Sequence, residues 1–173
     1  MRLLNDKVYN LQGVGNPMFG NVIIIPNVDY KAYRRKRLEL GEYVKEIIST
    51  ILPTGELSDV YITPLVHCKA NRTYPVNNSI LRNCSQILQY EFKKYNFKRV
   101  LILGSAVEQI MGLDLKKYAG KTIYYRQNNS FWTMTYSPLC KHSNATKYSE
   151  FKNHLTKWYN NVINKNNQYD YII

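Results

Sequence analysis

Four short segments of the chain gather the groups able to do chemistry. They read Pro26-Asn27-Val28-Asp29-Tyr30, His67-Cys68-Lys69, Gly104-Ser105 and Ser137-Pro138-Leu139-Cys140-Lys141-His142. Each follows a short apolar run. Ligands of open parallel sheets bind beyond the carboxyl ends of the strands, so the four segments are expected to line one cleft. Asn27 brings an amide that can hold a water, and Asp29 brings a carboxylate two positions on. The same residues also suit an ordinary turn, with Pro-Asn closing a strand and Asp29 capping the next helix. Gly104-Ser105 at a helix start could hold a phosphate. The basic run KAYRRKR, residues 31–37, adjoins the first segment. Its Lys31, Arg34, Arg35, Lys36 and Arg37 are expected to clamp a phosphate backbone; the alternative is a solvated helix face.

Charge points the same way. Lysine and arginine number 24 against 12 acidic residues, a formal net charge of +12. In a small chain that excess favours an anionic partner such as nucleic acid, although solubility and an AT-rich coding bias also produce it. The Asn, Lys and Tyr-rich composition suits a virus or an AT-rich bacterium. Three cysteines are too few for a disulfide scaffold and fit free thiols in a reducing compartment. With no long apolar run and a charged start, MRLLNDKVYN, the expectation is an intracellular, cytoplasmic protein with no membrane partner.

The elements that must hold these segments are legible as periodicities. Strands are expected at 21–26, 60–66, 99–104 and 131–136, the first and third continuously apolar, as in a parallel sheet covered on both faces. Helical spacing relates Val44, Ile47, Ile48, Ile51 and Leu52, then Leu81, Cys84, Leu88 and Phe92, then Tyr148, Phe151, Leu155, Trp158 and Val162. Ser105 and Glu108 form the sequence of a capping box, and Gly112 predicts a short helix after it. Alternating strands and helices with right-handed crossovers predict a single domain over 1–173. Its fold is three-layer α/β/α with a central, mainly parallel four-stranded sheet. Residues 1–12 and 164–173 are expected as frayed tails, with docking the alternative for 164–173. Pro64, inside a strand, predicts an edge or a bulge there.

Taken in order, these segments resemble the uracil-DNA glycosylase superfamily, closest to its iron-sulfur branch, family 4. GNPMFGNVIIIPN is similar to the entry into that family's first motif. VYITPLVHCKANRTYPVNNSILRNC is similar to its second strand, cysteine, proline-containing loop and second cysteine. RVLILGSAVEQIMG is similar to its third strand and helix start, and MTYSPL to its last strand and DNA-reading turn. The resemblance implies a DNA partner, single- or double-stranded. It also implies a base-excision N-glycosylase chemistry, in which a nucleotide is turned out of the stack and its base leaves as an anion.

Carried over by position, the resemblance places the first-motif polar residue at Asn27, with Asp29 beside it, and the last-motif histidine at Ser137. The base-reading asparagine falls at Pro64, and Tyr30 or Tyr33 stands for the stacking aromatic. The base pocket is thus expected from Tyr30, Pro64 and Ser105. Leu139 takes the place of the minor-groove wedge, flanked by Lys141 and His142 as DNA contacts. Proline cannot read a uracil edge, and a serine is a weaker donor to a departing base than a histidine, so specificity is expected to be altered and catalysis slow or absent. Cys68 and Cys84 match half of the family's cluster ligands. A cubane needs about four thiolates, so the iron-sulfur cluster is expected to be lost and no cofactor remains. Two other readings stay open: a catalytically silent DNA-binding module, serving as a replication accessory or inhibitor, and a nucleotide-binding enzyme using the same cleft.

Overall fold

The structure is a computed structural model, and it describes residues 13–26, 41–51, 58–65 and 78–173; for 41–42 and 78–85 only the backbone is described. The apolar run NVIII forms β2 (Asn21–Ile25), every residue of it buried. YITP forms β3 (Tyr61–Pro64), RVLIL forms β4 (Arg99–Leu103), and SFWTMT forms β6 (Ser130–Thr135). These four pair in parallel in the order β3-β2-β4-β6, with Val22 opposite Tyr61 and Val100, and Leu101 opposite Thr133. That is the mainly parallel core expected from sequence, and the fold is α/β.

The sheet is wider than expected: β1 (Val14–Gly15), β5 (Thr122–Tyr125) and β7 (Tyr171–Ile172) bring it to seven strands, in the order β1-β3-β2-β4-β6-β5-β7. β1 runs antiparallel to β3. β5 is a hairpin partner of β6, and β7 lies parallel to β5. Residues 164–173 therefore dock. Ile173 N–H donates to Tyr124 O at 2.9 Å, and Arg126 N–H to Ile173 O at 3.0 Å. Pro64 is tolerated for a geometric reason. Leu65 N–H donates to Ile25 O, so by alternation the Pro64 nitrogen faces the other side, where β1 pairs only with Tyr61 and Ile62.

Helices cover both faces. On one, α1 (Gly41–Ile51) and α5 (Ala145–Ile163) bury Tyr43, Ile47, Phe151, Leu155 and Trp158 against Ile23, Ile25, Leu101 and Leu103. On the other, α2 (Asn78–Tyr95), α3 (Ala106–Met111) and α4 (Leu115–Tyr118) cover Val22, Ile24, Val100, Ile102 and Met134. Alternate residues of β2, β3 and β4 thus feed two separate cores, which makes the three layers. Each large aliphatic or aromatic side chain buried this way contributes roughly 2–3 kcal/mol. Asn144 starts α5 by accepting the Lys147 N–H at 3.0 Å.

The expected capping box does not form. Gly104 turns the chain at φ +55°, which puts Ser105 itself in helical geometry (φ −62°, ψ −17°) with its hydroxyl exposed and making no cap bond. The short helix does end at Gly112, at φ +65°.

Candidate nucleic-acid interface at the strand tips

The crossover from β2 leads to β3 on one side, and the chain from β4 continues to β6 on the other. β2 and β4 are neighbours, so the topological switch point lies between their carboxyl ends. There the ends of three strands converge. A Cβ placed on Gly104 would lie 3.1 Å from Ser137 Cβ and 3.6 Å from Pro26 Cγ. Glycine serves here twice, by adopting a left-handed φ and by leaving room for the neighbouring strand end. Gly104 N–H donates to Thr135 O at 2.9 Å, fixing the tip of β4 against that of β6.

Beyond Thr135 the chain turns through a 3₁₀ helix, Pro138–His142. Ser137 opens it, its Oγ accepting the Leu139 N–H at 3.3 Å. The hydroxyl retains its proton for donation, but its position is set by its own turn. Leu139, expected as a wedge, is half-buried and packs on the core under α1 and α5. Its conformation here is that of an anchor for the turn. Lys141 extends its ammonium to Glu46 Oε1 at 2.7 Å, and the other carboxylate oxygen accepts the Tyr148 hydroxyl at 2.6 Å. His142 is exposed.

Glu46 and Tyr148 are the functional-looking pair that the sequence did not announce. Burial alone would raise the Glu46 carboxyl, but hydrogen bonds from Lys141 and Tyr148, with the charges of Lys141 and Lys45, hold it below its ordinary value. The bond to Glu46, followed by burial, pushes the Tyr148 hydroxyl up to about 12. This triangle ties α1, the turn and α5 together under the strand tips.

Pro64 is buried at the end of β3, opposite Ile25. Ser105, the third expected member of the base pocket, is exposed directly after Gly104. Asn27, Asp29, Tyr30, Tyr33, Lys31, Arg34, Arg35, Lys36 and Arg37 lie outside the described residues, as do His67 and Cys68. Pro26, which immediately precedes the first group in sequence, is one of the three converging strand ends. Cys84 lies on α2. Cys140 is a free thiol, half-buried, and burial pushes it up. Among the described residues no group of three or more His, Cys, Asp or Glu side chains could hold a metal ion, and no helix is long and apolar enough to cross a bilayer.

Two further polar contacts escaped sequence reading. Thr135 Oγ1 lies 2.8 Å from His154 Nδ1, joining the last strand to α5. Glu91, buried on α2, accepts the hydroxyls of Tyr61 and Thr63, each at 2.8 Å. Burial and that carboxylate together raise the Tyr61 hydroxyl. Neither contact has a sequence signature, because each joins residues on separate elements.

No family model matches the chain, and no curated protein matches it.

Proposed function

We propose that the protein binds DNA across the tips of its parallel strands, as a uracil-DNA-glycosylase-like protein whose base excision is altered or slow. The observation that carries the reading is the convergence of Pro26, Gly104 and Ser137 at the switch point. These are the positions where the resemblance puts the first, third and last motifs. A net charge of +12 and the basic run that begins five residues after Pro26 supply the attraction for a polyanion.

In this reading Asn27 holds the attacking water, Asp29 assists it, Ser137 donates to the departing base, and Tyr30, Pro64 and Ser105 border the extruded nucleotide. Lys31, Arg34, Arg35, Lys36 and Arg37 contact phosphates, and the exposed His142 joins them. A serine in place of a preorganised stronger donor costs about 10²- to 10³-fold in rate. The cofactor expectation stays the same: catalysis would proceed without an iron-sulfur cluster.

A second reading, a DNA-binding module without chemistry, is favoured by one specific observation. Ser137 Oγ is engaged with the Leu139 N–H, and Lys141 with Glu46, so two groups of the last motif are committed within the fold. One assay decides between them. Labelled single- and double-stranded DNA carrying uracil or hypoxanthine is incubated with the protein, and abasic sites are then cleaved with alkali. Strand breaks that disappear in Asn27→Ala establish excision, while salt-sensitive binding without breaks establishes the module. Absence of DNA binding at low salt removes both.

A further inference from the structure

A cavity lies on the flank of the sheet, away from the strand tips. It occupies about 320 Å³ between α5, the β5–β6 hairpin and the chain leading into β7. Its walls are polar: His154, Lys157 and Asn161 from α5, and Asn167, Tyr169 and Asp170 from the final segment. The cavity opens to solvent, with Lys157, Asn167, Tyr169 and Asp170 exposed at its walls, so a ligand can enter it and displace water.

The walls are fixed in advance. Asp170 N–H donates to Thr122 O at 2.8 Å, and Asp170 Oδ2 accepts the Thr122 N–H at 2.9 Å. That leaves Oδ1 as an acceptor held in place. Asn167 Oδ1 accepts from Arg99 Nη2 at 2.9 Å, which turns its NH₂ into the remaining donor. The Thr122 and Thr133 hydroxyls satisfy one another at 2.7 Å. The Tyr169 ring stacks on Tyr124, at 5.4 Å between centroids, and Tyr124 stacks in turn on Phe131 at 4.7 Å. Lys157 makes no ion pair, and the Asn161 amide no hydrogen bond, among the described residues. Preorganised walls of this kind lower the cost of ordering on binding.

The unspent groups define the ligand. A carboxylate only accepts, so the ligand must bring N–H donors; two amides add a donor and acceptor edge; a lysine matches an anion; and a ring of Tyr169 type takes a flat face. We infer that this cavity binds a mononucleotide, its phosphate on Lys157 and a base rich in N–H groups between Tyr169, Asp170 and the amides of Asn161 and Asn167. The site is separate from the strand-tip crevice and does not depend on its assignment.

The test is isothermal titration of the full chain with GMP, guanosine and inorganic phosphate, each alone. GMP is expected to bind at one site per chain. Lys157→Ala is expected to weaken GMP about tenfold while leaving guanosine unchanged, and Tyr169→Ala to weaken both. Both side chains are exposed, and thermal melts of the variants verify folding. Absence of GMP binding, phosphate binding as tight as GMP, or GMP binding indifferent to both substitutions each overturns the proposal. A chain carrying Arg34→Ala and Arg35→Ala is expected to keep its GMP affinity, so that failure of the DNA reading and failure of this one are told apart.

Discussion

Glu46 on α1 and Lys141 in the turn after β6 meet at 2.7 Å although 95 positions separate them in sequence. The contact fixes the turn that follows Ser137, and its chemistry is titratable. The Glu46 carboxyl sits below its ordinary value in the folded protein. Its contribution is therefore complete above the ordinary carboxylate range and is lost as pH falls through the lower folded value. Glu46→Gln is expected to lower stability by about 1 kcal/mol at neutral pH, with the difference from wild type vanishing in acid. Denaturant melts of the two proteins across pH check both statements.

His154 carries the opposite kind of shift from a gained ion pair. Burial lowers it, the charge of Lys157 lowers it further, and Glu150 opposes them in part. The ring is held neutral beside Thr135. Because its folded value is depressed, the associated stability is present above the ordinary histidine range and declines as pH falls below it. A side-chain NMR titration is expected to place the His154 midpoint below that of a free histidine; a midpoint at or above the free value contradicts the buried placement.

Gly104→Ala tests the convergence of strand ends directly. The new methyl would sit at φ +55° and 3.1 Å from Ser137 Cβ. The expected cost is about 1–2 kcal/mol of stability. DNA affinity is expected to fall as well, because the tip of β4 must move off that of β6. Unchanged stability and unchanged affinity would show that the close approach is not required.

Arg34→Ala with Arg35→Ala is expected to weaken DNA binding uniformly across sequences. The slope of log affinity against log salt should decrease by about 2. Lys141→Ala, with its ammonium already on Glu46, is expected to change the slope less. Fluorescence anisotropy over a range of salt measures all three proteins.

The parallel core was legible because its strands are short, apolar runs buried on both faces, a pattern that needs no partner to be recognised. The runs at 21–26 and 99–104 became β2 and β4 nearly residue for residue. α5 was equally readable, since Phe151, Leu155, Trp158 and Val162 repeat at helical spacing and are all buried. β1, β5 and β7 were not read. Thr122–Tyr125 has the β-branched and aromatic composition of a strand, and the Asn128-Asn129 turn, with Asn129 at φ +51°, marks a hairpin. β7 is two residues long and is defined only by what it pairs with. At the candidate site, strand-tip positions followed from topology, whereas the commitments of Ser137, Leu139 and Lys141 did not. Those depend on side chains from α1 and α5 that no local pattern connects to residues 137–142.

The pairing of Tyr171 and Ile172 with β5 bears on how the protein behaves in solution. Without it, the backbone of Ile123, Tyr124 and Tyr125 would be a bare strand border bearing unsatisfied amides and two aromatic rings, ready to recruit a second chain. Shortening the chain before Asp170 is therefore expected to promote self-association, visible as a shift to larger species in light scattering.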